Sequence, residues 1–425
     1  TLTGGGGSDV LLGWSGNDTI TVAGNGGAAF TTVVDGGAGT DRLNINYSGI
    51  SSLSDLAPVG YNSGVLTFTD VNGGSITASN IESLYVNDKE YVLYLGVGTF
   101  PRDAIWGVAD KTLYGLPSSN FSGIDSLSNL SGFNLAADNF SFIGSSDTDS
   151  LNLNINRASF SGTLNVSTGQ GNDSIYSAKL INGDSIDLGA GDDTIYVMAT
   201  NVNSLSLAKL EGGSGTDTLA FEESTNNGTL SLTTGGASGF ENLRGSLSAE
   251  TITGDAQANV IKGIDGVDTI YGLGGNDTLY AGDSGFSALS ASSDNTADVL
   301  YGGAGNDILV GSAGSNTLDG GTGADTIVTG AGTDTIVLRA GDGGATIADA
   351  DVVTDFTDGT DVFGLAGSLG YSDLVIAQGN GTDTSTANTL VKVEATNEYL
   401  TVLQNTSASS VTYLDFTGLS TDPQT

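Results

Sequence analysis

The sequence predicts an all-β protein made of stacked parallel coils. Three observations carry that expectation: a nine-residue period rich in glycine and aspartate, 66 Gly with neither His nor Cys among 425 residues, and a formal charge of −38. The period is plainest from Gly302, where "GGAGNDILV", "GSAGSNTLD", "GGTGADTIV" and "TGAGTDTIV" run without a gap to Val337. Upstream, "GSLSAETIT", "GDAQANVIK", "GIDGVDTIY" and "GLGGNDTLY" fill residues 245 to 280. An interruption from Ala281 to Ser292 separates the two runs, and the register resumes with "SDNTADVLY" at Ser293.

Each unit has two physical halves. Its first six residues are turn chemistry, because glycine tolerates positive φ and Asn or Asp accepts the left-handed region better than most residues. Its last three read polar, aliphatic, variable, as in "TIV" of Thr326 to Val328. Side chains alternate across a strand, so the Leu or Ile at position eight faces a core while its neighbours face out. Two nines then make one turn of a flattened coil, and alternate units stack on the same side.

Position six is where the charge gathers. In the long tract it falls at Asp268, Asp277, Asp298, Asp307, Asp325 and Asp334. The same unit recurs at Gly4, Gly13, Gly36, Thr168, Leu188 and Gly212, placing Asp9, Asp18, Asp41, Asp173, Asp193 and Asp217 at position six. Asp307 and Asp325 would lie one strand spacing apart, ~4.8 Å. Two carboxylates at that distance repel by ~1 kcal/mol in water and several-fold more near protein. With 11 Lys plus Arg against 49 Asp plus Glu, the chain cannot neutralise them itself. Calcium suits such a row, being a hard ion that takes carboxylate and backbone carbonyl oxygens together. Asn259 and Asn316 stand at position six in worn units, where an oxygen is kept but charge is lost and binding is expected to be weak or absent, and Glu250 stands there in the first unit of the long tract.

Other chemistry is pruned by composition. Without His or Cys there is no Ser-His-Asp or Cys-His catalysis and no ordinary structural zinc site. The acidic balance argues against nucleic acid or an anionic membrane as a partner. No run approaches the ~20 apolar residues that span a bilayer, so no transmembrane segment is expected. A polysaccharide lyase would need a basic residue beside calcium, for which Arg157 is conceivable, but nothing sets two carboxylates in a cleft. No enzyme is expected.

The units "GGAGNDILV", "GGTGADTIV", "GGSGTDTLA" and "GGGGSDVLL" resemble the nonapeptide of the RTX family, calcium-binding proteins of Gram-negative bacteria. That resemblance implies a parallel β-roll or β-helix solenoid with several Ca²⁺ ions in its Gly/Asp-rich turns, and export by a type I secretion system. The stretch "DVVTDFTDGTDVFGLAG" from Asp351 is similar to the block that follows the last repeats of that family, the cap leading to a C-terminal secretion signal.

Five segments follow. Residues 1–44 hold N-terminal repeat turns, and residues 45–166 form an irregular β-helix or an inserted β lobe without intact nonapeptides. Residues 167–244 are a repeat-containing β-helix with wider coils, 245–340 a regular β-roll, and 341–425 a C-terminal cap and type I secretion region. The aromatic stretch from Leu84 reads as core rather than as a binding face. The expected function is that of a calcium-dependent secreted structural protein, forming a surface layer or extracellular filament by self-association, with a cell-surface polysaccharide as a possible partner. The alternative is the C-terminal secretion and folding module of a larger RTX adhesin or enzyme.

Overall fold

Strands of two to six residues alternate with glycine-rich turns, and no α-helix occurs among the described residues. The computed structural model describes residues 1–23, 29–95, 104–116, 120–121, 130–153, 155, 157–198, 209–222, 228–283, 294–379 and 387–419. The chain divides into two units, one of Thr1–Met198, Leu205–Asp217 and Gly235–Gly239, the other of Ala199–Ser204, Thr218–Thr234 and Phe240–Thr425.

The second unit is the more regular. One set of parallel strands runs through Thr251–Thr253, Thr269–Gly274, Val299–Ala304, Thr317–Thr322, Thr335–Leu338 and Val362–Leu365. The other runs through Asn242–Arg244, Val260–Ile264, Thr278–Gly282, Ile308–Val310, Thr326–Val328 and Asp351–Val353. Successive strands of one set are separated by a whole coil, so each coil contributes once to each sheet. The aliphatic residue at position eight points inward throughout: Ile252, Ile261, Ile270, Leu279, Leu300, Leu309, Leu318, Ile327 and Ile336 are all fully buried. Period-two alternation produces this, with the residue before each of them half-buried, or exposed at Thr251. Where the interruption enters, Thr269 pairs with Val299 and Thr278 with Ile308 in unbroken register. The register of the stack is therefore unbroken across the interruption, whose residues 284–292 lie outside the described residues. Towards the C-terminus, Leu374–Gln378, Thr389–Val393 and Tyr399–Leu403 form an antiparallel meander whose last strand pairs in parallel with Asp351–Val353.

The first unit mixes two arrangements. Leu2–Gly4, Thr19–Val22, Arg42–Ile45 and Ser83–Val86 pair in parallel. Lys89–Tyr94, Ala104–Gly107 and Thr112–Gly115 then continue antiparallel, after which Phe140–Ile143, Leu164–Ser167, Ser185–Ala190 and Leu210–Ser214 resume the parallel order. A hairpin of Gly60–Asn62 and Val65–Thr69 adds antiparallel pairing beside Ser75–Ser79. The described part of the aromatic stretch is core: Tyr91, Trp106 and Tyr114 are buried, and Trp106 stacks on Phe140 with centroids 6.3 Å apart. Residues 96–103 of that stretch lie outside the described residues.

Candidate metal centre

Position six closes each turn at the residue before the strand, and its side chain reaches towards the neighbouring coil. In the second unit two hydrogen-bonded rows result. In the first row the backbone N–H of Glu250 donates to Asp268 Oδ1 at 2.8 Å, Asp268 to Asp298 at 2.9 Å, Asp298 to Asn316 at 3.1 Å, Asn316 to Asp334 at 2.7 Å and Asp334 to Asp361 at 3.2 Å. In the second row Asn259 donates to Asp277 at 2.8 Å, Asp277 to Asp307 and Asp307 to Asp325 at 2.7 Å each, and Asp325 to Asp351 at 3.1 Å. The first unit holds the same device, from Asp149 to Asp173 to Asp193 to Asp217 at 2.6–2.8 Å, and from Asp18 to Asp41 to Glu82 at 2.7 and 2.6 Å. Asp9, outside these rows, sits half-buried in the first turn.

Position five adds a second row. The N–H of Asn306 donates to Asn276 Oδ1 at 2.9 Å, and that of Ala324 to Asn306 Oδ1 at 3.0 Å. This gives the recurrent "GND" a physical reason, since the asparagine carbonyl satisfies a turn N–H one coil on.

Asp41, Asp173, Asp193, Asp268, Asp277, Asp307, Asp325 and Asp334 each spend one oxygen on their row. The other is left over: Oδ2 of Asp41, Asp173, Asp193, Asp268, Asp277, Asp307, Asp325 and Asp334 is buried without a hydrogen-bond partner, as is that of Asp9. A buried, unsatisfied carboxylate oxygen is costly unless a cation meets it. The glycine at position one shows where the space lies. A Cβ on Gly302 would press on both Asp307 Oδ2 and the carbonyl oxygen of Gly320, and one on Gly272 on Asp277 Oδ2 and the carbonyl of Gly302. Carboxylate and carbonyl oxygens therefore converge on a cradle that only glycine leaves open. Among the described residues no three acidic side chains converge on one point. The donor set of a turn is a carboxylate with backbone carbonyls, which a hard oxygen-seeking ion such as calcium accepts.

Electrostatics agree with the geometry. Burial pushes the carboxyl of Asp268 up to about 8, and those of Asp193, Asp277 and Asp334 up to about 7. The N–H donated along each row pulls the other way, while neighbouring carboxylates add to the rise, as Asp307 does for Asp277. Asp325 and Asp351, adjacent in the second row, are both raised by burial.

Some residues of the rows escape a reading of the nines. Asp149 belongs to "GSSDTDSLN" from Gly144 and Asp361 to "FTDGTDVFG" from Phe356, both of which carry Asp at position six and could have been found by that register. Glu82 and Asp351 stand in no such unit. Asp184 is the most instructive. It accepts the Leu164 N–H at 2.8 Å, the same bond that defines a row, yet its Oδ2 faces the Arg157 guanidinium. Arg157 Nε donates to the Lys179 carbonyl at 2.7 Å and Nη1 to that of Gly162 at 3.0 Å. An arginine thus contributes positive charge to a carboxylate and two carbonyls, the donor set of the other turns. Its nitrogens are committed to these acceptors.

A parallel coil whose Gly/Asp turns offer buried carboxylate and carbonyl oxygens is a calcium-binding β-roll solenoid. The chain carries RTX calcium-binding nonapeptide repeats: the family model of that description (4 copies) matches residues 1–28, 183–199, 244–279, 262–284, 293–318 and 310–344. These repeats bind calcium, and their number implies several ions. No curated protein matches the chain. Among solved structures, it is similar to the AlgE6R3 subunit of the Azotobacter vinelandii mannuronan C5-epimerase, at 18% identity and a TM-score of 0.19 over 47% of this chain and 84% of that one. It is also similar to the extracellular lipase LipA of Serratia marcescens, at 14% identity and a TM-score of 0.23 over 96% of this chain. The chain spans 38% of the length of that lipase. Among the described residues no helix is long and apolar enough to cross a membrane.

Proposed function

We propose that this chain is a secreted structural protein of a Gram-negative bacterium, closing its coils outside the cell on calcium and associating with further copies into a surface layer or filament. The ligands in this reading are the position-six carboxylates of Asp9, Asp18, Asp41, Asp173, Asp193, Asp217, Asp268, Asp277, Asp298, Asp307, Asp325 and Asp334, each with neighbouring carbonyls. The observation that carries it is the row of buried Oδ2 atoms without hydrogen-bond partners.

Calcium, when bound, supplies the positive charge that lets these carboxylates stay ionised inside the stack. The chain's own residues do the rest. Glycines keep the cradles open, the N–H rows hold each carboxylate in place, and the aliphatic residues at position eight bring successive coils together. Ions that bind only the folded chain stabilise it by mass action, ~2.7 kcal/mol per independent site at a hundredfold excess over Kd. Where calcium is scarce, as inside a cell, the same carboxylates oppose folding and favour a chain that can be threaded through a type I secretion channel.

A structural role is supported by how much of the described length is given over to stacked strands and turns. The test is assembly of the purified chain imaged with and without calcium. Ordered sheets or fibres on calcium addition support the reading. A chain that folds on calcium but stays monomeric would favour a secretion and folding module of a larger protein.

A further inference from the structure

We infer that the turns come in two backbone forms, and that only the form with a left-handed residue at position two takes up calcium; this rests on the calcium reading above. In the first form position two lies at positive φ: Gly303 at 111°, Gly321 at 89°, Ile264 at 99° and Leu273 at 80°. The position-six carboxylates of these turns, Asp307, Asp325, Asp268 and Asp277, each have an unpartnered Oδ2, as does Asp334 behind Gly330 at 94°. Two turns of the first unit depart from the match: Asp9 has an unpartnered Oδ2 although Gly5 lies outside the left-handed region, and Asp18 has none although Trp14 lies at 68°. A β-branched residue such as Ile264 rarely adopts that conformation, so something in the turn holds it there.

In the second form position two carries a polar side chain and lies outside the left-handed region. There it closes the turn on itself. Ser145 donates from its N–H to Asp149 Oδ2 at 2.8 Å and from its hydroxyl at 3.3 Å. Ser246 donates to the Glu250 carboxylate from N–H and hydroxyl alike. The N–H of Asp255 donates to Asn259 Oδ1 at 2.9 Å, and Asn259 Nδ2 donates back to Asp255 Oδ1 at 3.3 Å. Asn316 Nδ2 donates to the Ser312 hydroxyl at 3.2 Å and to the Gly314 carbonyl at 2.9 Å. No side-chain oxygen of these position-six residues is left over: at Asn316 a hydrogen-bonded amide nitrogen faces the position-one glycine in place of Oδ2, and at Asn259 the oxygen that faces Gly254 is taken by the Asp255 N–H. At Asp298 the Thr296 hydroxyl, two residues before it, reaches both carboxylate oxygens at 3.2 Å.

The two forms are unevenly distributed. The second row of the second unit carries three open turns in succession, at Asp277, Asp307 and Asp325. In the first row Asp268 lies between the closed turns of Glu250 and Asp298, so the inference removes Asp298 from the ligands proposed above, and Asn316 separates Asp298 from Asp334. Calcium is therefore expected to line one side of this stack and to be sparse on the other, with position two as the selecting residue.

The experiment is calcium stoichiometry of the full chain, by equilibrium dialysis and elemental analysis, for the wild type and three variants. Reopening a closed turn with Ser312→Gly and Asn316→Asp together is expected to add one ion per chain, while Asn316→Asp alone adds none. Leu273→Ser, at an exposed position, is expected to close the Asp277 turn and remove one ion. Equal gains in the single and double variants, or full retention by L273S, would overturn the inference; if the double variant does not fold, L273S decides. A wild-type chain that folds without binding calcium would remove the underlying reading, and this inference with it.

Discussion

The backbone N–H of Asp307 donates to Oδ1 of Asp325 at 2.7 Å, across eighteen residues of chain and one turn of the coil. Two like charges that should push the coils apart are thus tied by the backbone of one to the side chain of the other. The bond is charge-assisted when Asp325 is ionised, and survives in weaker form when it is neutral. Oδ1 serves the stack while Oδ2 is buried without a hydrogen-bond partner, so changes at this residue can separate the two oxygens.

Asp325→Asn keeps an oxygen for the Asp307 N–H and removes the charge. In chelator it is expected to raise the melting temperature, because a buried carboxylate no longer has to be protonated or ionised without a partner. In calcium it is expected to lower stability by an amount on the order of 2–3 kcal/mol, the contribution of a site at about a hundredfold excess over Kd. Asn316→Ala should lower stability in both conditions alike, since that turn already lacks a free oxygen. Thermal unfolding of both variants, with calcium and with EDTA, reads the difference; parallel shifts in the two variants would count against a ligand role for Asp325.

Acid should partly replace calcium. The carboxyls of Asp193, Asp268, Asp277 and Asp334 are raised in the folded chain, to about 7 or 8, so the folded state binds protons more tightly than the unfolded one. Stability from that source is fully present below the ordinary carboxylate range near ~4 and is lost as pH rises through about 7. In EDTA the β signal in circular dichroism is expected to be stronger at about pH 5 than at about pH 8. Calcium affinity should move the other way and fall with acid, because protons compete for the same oxygens. A metal-free chain that gains structure as pH rises would contradict the burial of these groups.

The aliphatic ladder should matter whatever the metal does. Leu309 is fully buried between Leu279 and Ile327, its partners in the neighbouring coils. Leu309→Ala is expected to cost ~2–5 kcal/mol, as other buried leucine truncations do. The loss should be similar at every calcium concentration at which the chain folds. A loss confined to low calcium would mean that position eight acts through the turns rather than through the core.

Much of this was legible from spacing alone. A strict period of nine makes position eight the buried residue and position six the charged one, because strand alternation and turn geometry leave few other choices. The rows themselves were not legible. Spacing shows that Asp307 and Asp325 are neighbours, but not that one oxygen is taken by a backbone N–H and the other left over. Where coils vary in length the counting also fails: Asp173 meets Asp193 across 20 residues, Asp149 meets Asp173 across 24 and Asp41 meets Glu82 across 41. Closed turns hide for a different reason. Ser312 looks like any turn residue in sequence, and only its contact with Asn316 shows that it closes the turn. The antiparallel strands from Lys89 to Gly115 carry no nonapeptide to announce them, and their packing rests on aromatic residues far apart in sequence.

Arg157 and Asp184, 27 residues apart, supply the sharpest case of what spacing cannot show. The guanidinium gives hydrogen bonds to one carboxylate and two carbonyls, and only 2% of the Asp184 side chain remains exposed. Arg157→Ala leaves that carboxylate buried with backbone N–H donors alone, and removal of one partner of a buried pair typically costs ~3–5 kcal/mol. Arg157→Lys is expected to recover little, since an ammonium cannot reproduce the planar fork that reaches three acceptors at once. Both effects should be visible in unfolding curves at saturating calcium, where the remaining turns are satisfied. Full recovery by lysine would mean that charge alone matters at this turn. A negligible loss in the alanine variant would mean that water or another cation enters as readily as the arginine leaves.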